Sequence, residues 1–318
     1  MSLSTEHVYT LADLKNWSQH FPADHTALAV IGHPIAHSLS PVMHNAALAA
    51  LAKNRPEFAK WRYFKFDIAP EQLETAIDLF GENKFHGLNL TVPHKTIVMG
   101  LPAFKVAPQQ QFLREMGAAN TLKRKDHGWY GYNTDGFGLK NALAHDLGIK
   151  LENQHVVLLG AGGAARAAAM MCVGIGASLW IGNRTKINRD TLIKELKKSL
   201  SYKAHENVSL AGFDLVSPPP ALSSGAIVIN ATSLGLNPSD ESPLDLEKTP
   251  KAAAVFDMIY RPAQTRLLKQ AAEMGIPHAN GLSMLVYQGA SSLEHWIESP
   301  LPPDVLDLMH RTVHAALK

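Results

Sequence analysis

The segment HVVLLGAGGAARAAAMMC, residues 155–172, limits what this chain can fold into more than any other stretch. It opens as an apolar strand and runs without a spacer into Gly160, Ala161, Gly162, Gly163, Ala164 and Ala165. Gly160 permits a tight turn, Gly162 lets the backbone approach a pyrophosphate, and the small Ala165 lets helix and strand pack closely. The unpaired N–H groups at the start of the helix would then face the phosphates. A glycine turn without a ligand is the competing reading. The strand before and the helix after favour a dinucleotide site.

An NAD site places Asp or Glu about 20 residues past the glycines, on the ribose 2'-hydroxyl. Here the second strand, ASLWIGNR (177–184), leads instead into Asn183, Arg184, Thr185 and Lys186. A carboxylate would repel a 2'-phosphate, whereas a guanidinium pairs with it and can stack on adenine. The pocket is therefore expected to prefer NADP to NAD. The competing reading makes Arg184 and Lys186 ordinary solvated charges.

Strand and helix alternate on both sides of this turn. ALAVIG (27–32), WRYFKFDI (61–68) and HGLNLTV (86–92) read as strands, with helices from Ser40-Pro41 and over 70–80. NTLKR and GWYGYN read as two short strands around the turn Lys125 to Gly128, followed by a helix from Phe137 to Leu147. A second series then begins: strand 155–160, a helix from about 163, strand 177–184, a helix around 186–200, and strands 207–212, 226–232 and 253–260. Helices over 264–274, 282–297 and 303–317 close the chain, and SPPPALSSG (217–225) reads as a surface loop. Such alternation predicts parallel α/β sheets, and its restart places a domain seam near Asn133–Gly136. Residues 4–20 read as a short helix outside the main fold.

At 318 residues, 46% hydrophobic and 18% charged, the chain has room for two domains and is not disordered. Thirty Lys and Arg against 28 Asp and Glu give a net charge of +2, without the basic excess of a broad nucleic-acid surface. The single Cys172 excludes an intramolecular disulfide and a cysteine zinc cluster. Among 16 histidines, His33 and His37 are four apart but Pro34 breaks a shared helix face, and no metal site is expected. Residues 1–20 lack a signal-peptide pattern, and the longest weakly polar stretch, Ala167 to Ile181, falls short of the roughly 20 residues of a membrane span. A cytoplasmic chain is expected, with no membrane or nucleic-acid partner. His94 reads as a loop or surface residue, and Met170, Met171, Cys172 and Trp180 as core.

Three further places carry possible chemistry. Ser38 and Ser40 flank Leu39 at a helix start, where two hydroxyls and the helix dipole suit a carboxylate. On local sequence alone, Ser40 as a helix cap and Ser38 as a plain loop serine is the favoured reading. In NLTVPHK (89–95), Pro93 can open a helix, which puts Lys95 in a first turn where the dipole disfavours a cation, the mark of a candidate functional residue; an exposed lysine with a fully solvated head is the competing and commoner reading. Asp135 in NTDG is either an N-cap or a carboxylate that orients Lys95 across a cleft.

With these residues laid out, the chain resembles the shikimate dehydrogenase family over roughly residues 28–298. The ordered motifs are GHPIAHSLSP (32–41), NLTVPHK (89–95), GAANTL (117–122), GYNTDG (131–136), GAGGAAR (160–166), NRT (183–185), NATSLG (230–235), DMIY (257–260) and GLSMLVYQ (281–288). The resemblance implies reversible NADPH-dependent reduction of 3-dehydroshikimate to shikimate, on the route to chorismate and the aromatic amino acids. It implies that Ser38 and Ser40 hold the substrate carboxylate, and that Thr91, Asn120 and Gln288 bond its hydroxyls. Lys95 and Asp135 are the implied catalytic pair, and Tyr260 lies beside substrate and nicotinamide. Gly160, Ala161, Gly162, Gly163 and Ala164 carry the pyrophosphate. Asn183, Arg184, Thr185 and Lys186 surround the 2'-phosphate, and Asn230, Thr232 and Gly281 lie on the cofactor side.

The implied architecture is two α/β domains with an interdomain cleft. The substrate domain is 1–134 plus 281–318, and the Rossmann-type NADP domain is 135–280. A monomer or homodimer acting on a small molecule is expected. The cation that joins Arg184 is open between Lys186 and Arg189, because Asn188 stands where many members carry a basic residue. Competing readings are a quinate or dual quinate/shikimate dehydrogenase, and a non-catalytic module that senses shikimate-like acids.

Overall fold

Apolar runs become central strands here because both faces of a parallel sheet are covered. The computed structural model describes residues 3–108, 110, 112–200, 208–215, 225–249 and 252–317. Two compact units emerge: Met1–Thr134 with Gln288–Lys318, and Asp135–Tyr287.

The first unit contains β1 (Val8–Thr10), α1 (Leu11–Lys15), β2 (Thr26–Gly32), α2 (Ser40–Leu51), β3 (Trp61–Asp67), α3 (Leu73–Glu82), β4 (Gly87–Leu90), α4 (His94–Ile97), β5 (Phe104–Val106), α5 (Leu113–Met116), β6 (Thr121–Lys125) and β7 (Gly128–Tyr132). Its sheet has the order β1-β3-β2-β4-β6-β7-β5. Pairing is parallel from β1 to β4 and between β7 and β5, and antiparallel at β4–β6 and β6–β7. The β6–β7 hairpin turns on Asp126 and His127, both with positive φ, the turn type whose twist matches the flanking strands.

The N-terminal segment departs from expectation. It is not one helix outside the fold: β1 pairs in parallel with β3, and α1 is followed by a 3-10 turn at Trp17–Gln19. Tyr9, Leu14 and Trp17 belong to the same buried core as Phe64, Phe66, Phe80 and Phe85. The apolar residues of 8–21 are too closely spaced with polar ones to reveal a three-residue strand by periodicity. β5 and α5 also escape a sequence reading, because three or four residues carry no period.

The second unit begins with α6 (Asp135–Leu147) and continues through β8 (His155–Leu159), α7 (Gly163–Gly174), β9 (Ser178–Gly182), α8 (Lys186–Leu200), β10 (Leu210–Phe213), β11 (Ile227–Asn230), β12 (Ala254–Asp257), α9 (Arg266–Glu273) and β13 (His278–Asn280). All six strands are parallel, in the order β10-β9-β8-β11-β12-β13. The strand order reverses between β8 and β11, where doubly wound sheets bind ligands beyond the strands' carboxyl ends. Cys172 is buried in α7, and burial pushes its thiol up to about 12. Met170 is core, whereas Met171 and Trp180 are only half-buried. The expected strand 207–212 is found as β10, beginning at Leu210, and β13 is an addition. Of the expected loop 217–225, all but Gly225 lies outside the described residues.

Two more helices follow, α10 (Leu282–Ile297) and α11 (Pro303–Ala316). The C-terminal half of α10 belongs to the first unit. There Trp296 packs so tightly on β4 that a Cβ at Gly87 would strike its indole, whose Nε1 donates to Leu122 O at 3.0 Å. No helix among the described residues is long and apolar enough to cross a membrane.

Candidate active site

In the second unit the nucleotide end is built by backbone. Gly160 has φ +114°, and a Cβ there would lie 2.8 Å from Ala231 O, so both conformation and space demand glycine. Its N–H donates to Gly182 O at 2.7 Å, joining the ends of β8 and β9. Gly162 is the N-cap of α7, with no side chain capping the helix. A Cβ added at Gly162 meets nothing within 4 Å, so this backbone faces open space. The first-turn N–H groups of α7 are thus placed to receive an anion.

β9 delivers Asn183, whose Nδ2 donates to Thr185 O at 2.9 Å, followed by exposed Arg184, Thr185 and Lys186. No carboxylate stands among residues 183–189. Arg189 is buried and bound to two acids, Asp190 Oδ1 at 2.8 Å and Asp214 Oδ1 at 2.6 Å. The Asp190 hydrogen bond, followed by that to Asp214, holds its pKa above the ordinary arginine value. A Cβ at Gly212 would lie 2.8 Å from Arg189 Nε, so the guanidinium is seated on β10. Arg189 is thereby committed to the fold, and Lys186 is the exposed cation beside Arg184. Open glycine backbone, no acid after β9 and two exposed cations fit NADP.

Asn230 ends β11 with its amide spent inside the protein. Its Nδ2 donates to Asp257 Oδ1 at 2.9 Å, and its Oδ1 accepts from Thr232 N and Oγ1 at 3.0 and 2.7 Å. Asp257 also accepts from Thr265 Oγ1 at 2.7 Å and Ile259 N at 3.0 Å. Burial pushes its carboxyl up to about 6 in spite of these donors. Asn230, Thr232 and Asp257 therefore shape the loops after β11 and β12. Gly281 lies where a Cβ would run into the Met258 carbonyl, and its N–H donates to Ile259 O at 3.2 Å, beside Tyr260.

In the first unit the expected residues gather at the carboxyl ends of β2 and β4. α2 opens at Ser40 itself, with Leu39 in the N-cap position and no side-chain cap. The reading of Ser40 as the cap is thus corrected: Ser38 Oγ accepts the Ser40 N–H at 3.3 Å. The Tyr63 phenol on β3 is fully buried, which raises its pKa well above the ordinary value, and it donates to Asn89 Oδ1 at 2.7 Å. Thr91 N donates to Ile31 O at 2.9 Å, and His94 N to Thr91 O at 2.8 Å, which turns β4 over Pro93 into α4. Lys95 follows in that short helix, and its carbonyl accepts from Ala119 N at 2.8 Å, tying NLTVPHK to GAANTL. His94 is not a surface residue. It is fully buried, its Nε2 donates to Ile68 O at 2.8 Å, and burial lowers its pKa.

Asn120 precedes β6, with Oδ1 accepting from Thr134 N at 2.8 Å. Its Nδ2 donates to Thr134 Oγ1 at 2.9 Å and to Gln288 Oε1, on α10, at 3.2 Å. Two amides expected at the substrate hydroxyls, 168 residues apart in sequence, are thus brought together. The sequence reading gave no role to Tyr63, Asn89 or Asp257. Their signal was present, since a polar residue inside an apolar strand must have a partner. Among the described residues no group of three His, Cys, Asp or Glu could hold a metal ion.

Comparison with known proteins bears on both units. The shikimate dehydrogenase substrate binding domain matches residues 30–122. A shikimate dehydrogenase (NADP(+)) from Symbiobacterium thermophilum is 39% identical over 282 residues, covering 88% of this chain and 91% of the relative. A crystal structure of a shikimate dehydrogenase in complex with NADP+ superposes with a TM-score of 0.77 at 33% identity, covering 94% of this chain and 98% of that one. A shikimate 5-dehydrogenase from Thermus thermophilus, in complex with NADP(H) and shikimate, gives 0.73 at 32% identity, covering 90% and 99%. By the identity and coverage of these relatives, the chain belongs to the shikimate dehydrogenase family.

Proposed function

We propose that the chain catalyses reversible, NADP-dependent interconversion of 3-dehydroshikimate and shikimate. Family membership running through both units is the observation that carries this reading. The cofactor, when bound, supplies or accepts the hydride. The chain's own residues must hold the substrate and handle the proton. Ser38 and Ser40 are assigned to the carboxylate, and Thr91, Asn120 and Gln288 to the hydroxyls. The Asn120–Gln288 bond supports the last assignment, because paired amides offer donors and acceptors at a fixed spacing. Lys95 is assigned to deliver a proton to the oxygen of the carbonyl under reduction, its charge offsetting the negative charge that develops there. Asp135 is its assigned carboxylate partner, and Tyr260 is assigned to the substrate and nicotinamide side.

On the cofactor side, Gly160 to Ala164 are assigned to the pyrophosphate. Asn183, Arg184, Thr185 and Lys186 are assigned to the 2'-phosphate, Arg189 being held by its two acids. Asn230, Thr232 and Gly281 act by shaping the adjoining loops. We place the enzyme in the cytoplasm, as one chain or a pair of identical chains, where the lone thiol would stay reduced.

The test is an initial-rate assay of reduced nicotinamide formed from shikimate or quinate, each with NADP and with NAD. Turnover of shikimate with NADP is expected. Preference for quinate or NAD would replace this reading with the quinate one, and saturable binding without turnover with a sensing module. Lys95→Ala should lower kcat by at least about 100-fold, the usual worth of a positioned general acid, while shikimate binding changes little. An unchanged kcat would remove Lys95 from the chemistry.

A further inference from the structure

A buried cluster of uncharged polar side chains runs behind Asn120 and Gln288, within the first unit. Asn89 interrupts the apolar strand β4, and its Oδ1 accepts from the Tyr63 phenol at 2.7 Å. Its Nδ2 lies 3.1 Å from Asn120 O, 3.1 Å from Thr121 Oγ1 and 3.0 Å from Ser292 Oγ. Ser292 on α10 is the point where the cluster converges. Its Oγ is 2.7 Å from Thr121 Oγ1, 3.2 Å from Thr134 Oγ1 and 2.9 Å from Gln288 O. Thr121 follows Asn120 in the chain and bonds its Oδ1 at 3.0 Å, Thr134 bonds both ends of its amide, and Gln288 lies one helical turn before Ser292.

We propose that Ser292 is a positioning residue: its hydroxyl fixes the turn of α10 that carries Gln288 against the strand and loop that carry Asn120. The inference rests on the assignment of those two amides to the substrate. Ser292 is fully buried, so its hydroxyl and its partners have no water to fall back on. Removing Oγ takes one of three neighbouring acceptors from the Asn89 amide and a hydroxyl partner from Thr121, Thr134 and the Gln288 carbonyl, so the side-chain bonds that tie this turn of α10 to β4, β6 and the Thr134 loop are lost. The rest of α10 stays docked through other bonds: Trp296 Nε1 to Leu122 O at 3.0 Å, Lys123 Nζ to His295 O at 2.8 Å and His86 Nε2 to Trp296 O at 3.0 Å. The loss therefore falls on the spacing of the two amides.

The test is steady-state kinetics of Ser292→Ala in the full chain, alone and combined with Gln288→Ala. KM for shikimate should rise about threefold to tenfold, the worth of one uncharged hydrogen bond, with kcat and KM for NADP within about twofold of the natural chain. Added to Gln288→Ala, the substitution should raise KM no further. Thr121→Val, which removes the facing hydroxyl, should reproduce the effect. An unchanged KM, an equal loss in all three parameters, or additivity with Gln288→Ala would overturn the proposal. If Gln288→Ala and Asn120→Ala themselves leave the shikimate KM unchanged, or the natural chain does not oxidise shikimate, it is the underlying assignment that fails.

Discussion

His44 lies one turn into α2 and is fully buried, stacked on Tyr63 with ring centroids 4.2 Å apart and an interplanar angle of 10°. Neither ring nitrogen has a hydrogen-bond partner among the described residues. Burial pulls its pKa down to about 3, whereas the unfolded chain titrates at ~6.5. Between those values the unfolded state binds a proton that the folded state refuses. The stability due to neutral His44 is whole above about 6.5 and drains away as pH falls towards 3. His44→Phe keeps an aromatic ring on Tyr63 and removes the titration. Its denaturant stability should fall less between pH 7 and pH 4 than that of the natural chain, by on the order of 3 kcal/mol. Equal losses in the two proteins would show that His44 does not set the acid limit.

At the scale of elements, the N-terminal segment is part of the sheet. Trp17 is almost fully buried, with ring centroids 5.0 Å from Phe64, 5.3 Å from Phe66, 5.2 Å from Phe85 and 5.3 Å from Tyr9. These rings meet mainly edge-to-face or tilted, arrangements that aromatic quadrupoles favour. Trp17→Ala should cost about 3–5 kcal/mol in a denaturant titration, the range for emptying a large aromatic site. KM for shikimate should hold, because Ser38, Asn120 and Gln288 lie on other elements. A loss below about 1 kcal/mol would mean that the segment packs only loosely.

For the whole molecule, the order of the second sheet brings the turn after β8 and the end of β9 side by side, and with them the cofactor choice. A ligand that binds only the folded chain stabilises it by about 2.7 kcal/mol at 100 times its Kd. NADP should therefore raise the melting temperature more than NAD at equal concentration. Arg184→Ala should abolish the difference, and Lys186→Ala should reduce it. Arg189→Ala should lower the melting temperature without ligand yet keep the NADP preference, because its partners are Asp190 and Asp214. Loss of preference in Arg189→Ala alone would reverse the assignment of the second cation.

Much of this could be read along the chain. Strand-to-glycine-to-helix order, the missing acid after β9 and the ordered motifs depend on neighbours within a few residues, so the sequence determined the α/β class, the nucleotide turn and the family. The tertiary structure decided what depends on distant partners. Trp17 is core only because β3 carries Phe64 and Phe66, and His94 is buried only because the Ile68 carbonyl receives it. Arg189 is withdrawn from solvent by Asp214, 25 residues on, and Asn120 meets Gln288 because α10 returns to the first sheet. Periodicity reports which face of an element is apolar. It carries no record of which buried polar groups satisfy one another, and that pairing is what turns separate local motifs into a site.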